Sequence, residues 1–221
     1  MFLILKEKIV VSRASGRRGR WRPLFSLKEF KQGSFLKARY MAQEASRKVI
    51  MIAILFSGQG SQEEGLGLDL YNEYEEVRDL YDNLPFSFDL KKISFEGSME
   101  EMSKTQYTQP VLVTFHLAVL RLLKKFNVHY DIAAGLSLGE YSALAAAGVL
   151  TEEDALSLIE KRAEFMADSC HNKPSTLIAL LGQEVDDVTS LIDQWAQRGI
   201  IAQIANHNAP GQVVIGLKKD D

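Results

Sequence analysis

The 221-residue sequence contains a single cysteine, Cys170. One thiol cannot build a disulfide framework, and no second cysteine stands near it to suggest a zinc site. Such usage fits a reducing compartment. No apolar run approaches the roughly 20 residues that a membrane span needs. A dinucleotide fingerprint beginning at Gly58 and Gly60 would need a glycine at position 63, where Glu63 stands. There is no G-K-[ST] either, which excludes a P-loop. What is present is ordinary for a soluble globular chain, with 46% hydrophobic and 25% charged residues. That length suits one large domain or two small ones.

Charge is unevenly distributed. Residues 1–50 hold 13 of the 26 lysines and arginines but only 3 of the 29 acidic residues, a local charge of +10. The remainder carries 13 basic and 26 acidic residues, a charge of −13. SRASGRRGRWRPLF has no sustained helical or strand period. Three readings compete for this basic extension: an Arg-rich targeting presequence, an anion-binding arm, or upstream sequence ahead of a start at Met41 or Met51. The last is favoured, because an orderly domain start follows at once. Without aromatic interleaving or a known motif, nucleic-acid binding is not expected.

From Met51 the signals are regular. MIAILF (51–56) reads as a buried strand and SGQGSQEEG as a loop. Residues 69–84 fit a surface helix ending near Pro85. TQPVLVTFHLAVLRLLKKF (108–126) is a long apolar helix with Pro110 just inside its start and Lys124 and Lys125 at its end. YDIAAG (130–135) is a second buried strand, and LGEYSALAAAGV a helix of small residues. Thr151 opens a further helix with Glu152, Glu153 and Asp154 in its first turn. This alternation predicts an α/β fold with a parallel sheet. After Pro174, STLIALLG, EVDDVTSLIDQWAQRG, IIAQIA and QVVIGL read as β-α-β-β, with turn chemistry at NHNAPG. The predicted organisation is a basic extension at 1–50, a core at 51–173 and a small α+β unit at 174–221. That unit breaks off at Asp221 without a closing helix and strand.

Three features carry chemistry. Gly135-Leu136-Ser137-Leu138-Gly139 has the G-x-S-x-G spacing of a nucleophilic serine on a strand-to-helix turn. The same serine begins an S-x-x-E capping box with Glu140, which would merely stabilise a helix start. Gly58-Gln59-Gly60-Ser61-Gln62 follows a buried strand, and its backbone can offer an N–H to an acyl oxygen. It also fits a plain connection. Arg162 lies at helical spacing from Ala155, Ile159 and Met166, on an apolar stripe. An inward guanidinium needs an anion, either a structural carboxylate or an acidic substrate.

Five segments in order, FSGQGSQ, TQPVLV, GLSLGEYSALAAAGVL, KRAEFM and NAPGQVVIG, together resemble the malonyl-CoA:acyl-carrier-protein transacylases of fatty acid synthesis. The resemblance implies an α/β-hydrolase-like core with an inserted ferredoxin-like subdomain. It implies that Ser137 takes a malonyl group from malonyl-CoA as an ester and yields it to the thiol of acyl carrier protein. N–H groups of Gln59 and Leu138 would form the oxyanion hole. Arg162 would pair with the free malonyl carboxylate, and Gln109 and Asn208 would line the site. By this reading malonyl-CoA is a substrate, no metal or cofactor is needed, and the protein is a cytoplasmic monomer with no membrane or nucleic-acid partner.

Three departures stand out. Leu136 replaces the histidine that commonly precedes the serine, and Ser57 replaces a common proline. The family's catalytic histidine falls later than this chain reaches. Of the histidines present, His116 reads as packed core, His129 as solvated ahead of a strand, His171 as solvated in a polar turn, and His207 as a turn residue. The expectation is a truncated chain with little or no transferase activity and uncovered apolar sheet edges that lower solubility. Two rivals remain: a serine esterase, which needs no inward arginine, and a non-catalytic module that binds acyl carrier protein.

Overall fold

Two strands from distant parts of the sequence form a parallel pair; the first is buried as predicted, whereas the second lies at the edge of the described sheet and is largely exposed, not buried. β3 (Ile52–Phe56) and β4 (Ile132–Gly135) pair in parallel from Ala53 opposite Ile132 to Phe56 opposite Gly135. The computed structural model describes residues 9–15, 20–26, 52–172 and 175–218. The chain divides between Phe165 and Met166 into two compact units.

In the first unit, β1 (Ile9–Ser15) runs antiparallel to the other edge of β3, and β2 (Arg20–Ser26) runs antiparallel to β1. The strand order is β2-β1-β3-β4. The absence of a sequence period in 1–50 predicts no element there, yet two strands form. Ladder pairing satisfies backbone groups that an open β3 edge would otherwise leave unpaired, and needs little from the side-chain pattern. The rest of 1–50, and the three readings of it, lie outside the described residues.

The crossover from β3 to β4 is helical. α1 (Leu68–Glu73) and α2 (Glu75–Asp82) stand where the sequence predicts one helix over 69–84. They are separated by Tyr74, whose backbone is extended at φ −117° and ψ 129°. α3 (Leu90–Glu96) and α4 (Met99–Met102) have no counterpart in the sequence reading, although each begins on a recognisable cap. Asp89 Oδ1 accepts from the Lys92 N–H at 3.0 Å, and Ser98 Oγ from the Glu101 N–H at 3.2 Å.

α5 (Thr105–Lys125) starts three residues before the sequence predicts, so Pro110 is its sixth residue rather than a first-turn residue. The ring removes the N–H that would bond to Gln106, and the helix continues without it. Every residue from Thr108 to Val119 is buried. A helix apolar all round is a core helix, and α2, α3, α4 and α6 (Gly139–Ala146) pack on it. α7 (Glu152–Asn172) follows. Its start is a reciprocal cap: Thr151 Oγ1 accepts from the Asp154 N–H at 3.0 Å, and Asp154 Oδ2 accepts from the Thr151 N–H at 3.3 Å.

The second unit has the predicted β-α-β-β order. β5 (Ser175–Leu181), β6 (Ala202–Ala209) and β7 (Gln212–Lys218) form an antiparallel sheet in the order β5-β7-β6. α8 (Val185–Ala196) covers one face through Val188 against Val213 and Ile215. The predicted NHNAPG turn shrinks to Pro210 and Gly211, because β6 runs on through Ala209 with two irregularities in its pairing. No helix among the described residues is long and apolar enough to cross a membrane.

Candidate active site

Ser137 sits between β4 and α6 with φ 54°, a left-handed conformation. For a non-glycine residue this costs about 1–2 kcal/mol. The flanking glycines are required by contact. A Cβ on Gly135 would lie 2.0 Å from the Gly139 carbonyl carbon, and one on Gly139 would lie 2.5 Å from the Phe56 carbonyl oxygen. Both obstacles are backbone, which cannot swing aside. The turn therefore presses against the end of β3 and presents an exposed serine.

The capping-box alternative is not realised. Leu138 is the N-cap of α6, and no side chain caps it. Ser137 Oγ instead accepts a hydrogen bond from Arg162 Nη2 at 3.0 Å. Arg162 Nη1 donates to Gln109 Oε1, and the guanidinium carbon lies 5.9 Å from the Tyr141 ring centre. Gln109 on α5 and Tyr141 on α6 thus orient the cation of α7 beside the serine.

The apolar stripe of α7 is shifted from its predicted line. Ala155, Leu156, Ile159 and Ala163 are buried, whereas Met166 is 38% exposed. Arg162 lies at the margin of this stripe, half-buried. Gln109 is fully buried on α5. A buried amide oxygen facing a guanidinium leaves the cation's charge uncompensated, so the pair can still attract an anion.

The loop after β3 lies against the serine turn. The Leu136 N–H donates to the Phe56 carbonyl at 3.0 Å, and a Cβ on Gly58 would lie 3.0 Å from the Leu136 carbonyl. Gln59 and Leu138 thus belong to two adjoining backbone segments. Gln59 is exposed, while the Leu138 side chain is fully buried. Asn208 lies in the second unit, half-buried on β6.

No histidine among the described residues hydrogen-bonds Ser137. His129 is exposed near the end of α5, and His207 is exposed on β6, not in a turn. His171 falls within α7 rather than in a polar turn. His116 is fully buried as predicted, but it is not simply apolar packing: Nδ1 is 2.9 Å from Ser142 Oγ and Nε2 is 3.4 Å from Ser57 Oγ. Tyr141 and Ser142 escape the sequence reading as well, since a helix of small residues signals nothing about partners from α5 and α7. An open groove of about 1050 Å³ between Lys124, Tyr130 and Glu152 is lined by His129 but by none of Ser137, Arg162, Gln109 or His116. The chemistry points to the exposed serine rather than to that groove.

Known proteins resemble this chain in sequence and fold. Malonyl CoA-acyl carrier protein transacylase of Bacillus subtilis (strain 168) is 40% identical over 166 residues, covering 74% of this chain and 52% of its own. The protein of that name from Staphylococcus aureus (strain MRSA252) is 36% identical over 169 residues, covering 76% and 54%. The chain spans about half the length of the curated relatives it matches. Among solved structures, the Clostridium perfringens malonyl CoA-acyl carrier protein transacylase superposes with a TM-score of 0.68 at 33% identity, over 75% of this chain and 52% of that one. A malonyl-transacylase solved in complex with its type II PKS acyl-carrier protein superposes with a TM-score of 0.69 at 33% identity, over 76% and 55%. The acyl transferase domain family matches residues 54–220, a stretch that includes the strained serine and its arginine. The chain therefore belongs to the acyl transferase domain family.

Proposed function

We propose that this chain belongs to an enzyme that moves a malonyl group from malonyl-CoA to the thiol of acyl carrier protein in fatty acid biosynthesis. The observation that carries the reading is the Arg162 guanidinium 3.0 Å from Ser137 Oγ. A hydrolase of uncharged esters has no use for a cation there, whereas a malonyl group brings a free carboxylate. In this reading the carboxylate displaces Ser137 from Arg162 and takes two parallel hydrogen bonds, with Gln109 holding the guanidinium from behind.

Ser137 Oγ then attacks the thioester carbon. Its proton passes to a general base, the carbonyl oxygen becomes an oxyanion, and the N–H groups of Gln59 and Leu138 receive it. Collapse expels the CoA thiolate, which takes up a proton, and leaves a malonyl ester on Ser137. The carrier-protein thiol repeats the attack in reverse and regenerates the serine. The first unit is read as part of an α/β-hydrolase-like core and the second as part of an inserted ferredoxin-like subdomain, in a cytoplasmic monomer.

Since no histidine among the described residues hydrogen-bonds Ser137, the discriminating measurement is binding, which needs no proton acceptor. In calorimetric titrations malonyl-CoA should bind about tenfold or more tightly than acetyl-CoA, the worth of a charge-assisted pair. Arg162→Ala should abolish that difference. Equal affinity for the two thioesters in the unmodified chain would overturn the proposal, and ester cleavage indifferent to Arg162→Ala would favour an esterase.

A further inference from the structure

Beneath the serine turn runs a buried polar chain that the acyl-transfer chemistry does not itself call for. His116 on α5 reaches Ser142 on α6 through Nδ1 at 2.9 Å and Ser57, just after β3, through Nε2 at 3.4 Å. Ser57 Oγ lies 2.8 Å from Ser61 Oγ, and Ser61 Oγ donates to the Gly58 carbonyl at 2.9 Å. Ser57, His116 and Ser142 are all buried. Four side chains thereby join α5, α6 and the loop that contains Gln59.

The chain has a direction, assigned from its hydrogen bonds. A carbonyl only accepts, so the single proton of Ser61 is committed to Gly58. Ser61 Oγ must then accept from the Ser57 hydroxyl. Ser57 Oγ in turn accepts from Nε2–H of His116, which leaves Nδ1 to accept from the Ser142 hydroxyl. Phe56 and Phe115 flank the imidazole, with ring centres 5.3 and 6.4 Å away, and limit its rotation.

We infer that His116 is a positioning residue for the serine site. Its ring clamps the 57–61 loop to α6 and so sets the spacing between the Gln59 and Leu138 N–H groups. The inference rests on the reading of Ser137 as an acyl-carrying nucleophile with those two donors. The glycine contacts supply the opposing limit: Gly58 against Leu136, and Gly139 against Phe56 and Ser57, stop the two segments from approaching further. Stops alone do not hold a loop in place. Gln59 and Gly60 are exposed, and Gly60 has φ 102°, so the loop tip has little packing of its own. Oxyanion donors act only when held at hydrogen-bond distance from the developing charge. A clamp across the two segments therefore works on the acylation rate rather than on substrate binding.

The test uses the whole chain with 15N-labelled histidine, together with His116→Leu, His116→Gln and Ser142→Ala. Nitrogen shifts should report the Nε2–H tautomer for His116. Amide hydrogens of residues 57–61 should exchange at least tenfold faster in His116→Leu and in the milder Ser142→Ala, and His116→Gln, which keeps a donor towards Ser57, should restore much of the protection. Malonyl ester formation at Ser137 should fall tenfold or more in the same two variants, through the rate and not through KM. An Nδ1–H tautomer, unchanged loop exchange in His116→Leu, or undiminished ester formation would each overturn the inference. If the unmodified chain forms no malonyl ester, that failure belongs to the proposed function, and the tautomer and the loop exchange still decide the clamp.

Discussion

Ser137 combines exposure, a left-handed backbone at φ 54° and a cation at hydrogen-bond distance from its hydroxyl. A side chain kept in that conformation is a strain that the packed glycines on either side enforce. Stability and chemistry are therefore opposed at this one position. Ser137→Gly should raise the unfolding free energy by about 1 kcal/mol relative to Ser137→Ala, because glycine adopts this conformation freely and alanine does not. Both substitutions remove the nucleophile and should abolish any malonyl ester. Urea unfolding of the two variants isolates the strain, since neither retains the hydroxyl. Equal midpoints would mean that the backbone conformation carries no penalty.

Among the elements, α5 and α7 do most to place the site. α5 supplies Gln109 and His116 from a segment buried on every side, so both polar groups are held without solvent competition. α7 brings Arg162 to the serine, and its direction is set at its start by the Thr151–Asp154 cap. Arg121 ties the same region together. Its guanidinium donates to Glu152 Oε2 at 2.7 Å, to Asp79 Oδ2 at 2.6 Å and to the Glu76 carbonyl at 3.0 Å, joining α2, α5 and α7. Thr151→Ala should lower stability by about 1 kcal/mol, the usual worth of an N-cap hydroxyl. Chemical denaturation checks the value, and Thr151→Ser should recover most of the loss. No change in Thr151→Ala would show that tertiary contacts alone hold the start of α7.

Taken as a whole molecule, the two units differ in how they are stabilised. The first has a large cluster running from Ile54 through Leu123 to Ile159. The second rests on Val188, Val213 and Ile215 with partly buried neighbours, and Leu177 and Leu181 on β5 are 67% and 71% exposed. Local opening free energy follows buried apolar contact. Native-state amide exchange should therefore find the slowest amides in α5, between Leu112 and Leu123. The amides of β5 and β6 should exchange much faster, ahead of global unfolding. Matching rates in α5 and β6 would instead mean that the chain opens as one cooperative unit.

Much of this molecule is legible in its sequence. Alternating apolar runs and helical periods specify the α/β order, because periodicity is a property of neighbouring residues. The spacing of Gly135 and Gly139 around Ser137 marks a tight turn, because the steric demand is local. The spacing of Arg162 to Ala155 and Ile159 places it near the apolar stripe of α7, but the folded chain sets it at the margin of that stripe. Other features are closed to that reading. Pairing of β1 with β3 is made by backbone groups and leaves almost no side-chain signature. Tyr74 breaks a helix that its flanking pattern would continue. Only the folded chain decides that Ser137 meets Arg162 rather than capping α6, since 25 residues separate them. Likewise, the sequence allows His116 to be plain core, and tertiary structure brings it Ser57 from 59 residues away and Ser142 from 26. Sequence settles what a few covalent bonds of separation can enforce; the partners of a buried polar group are settled only when distant segments pack and water is excluded.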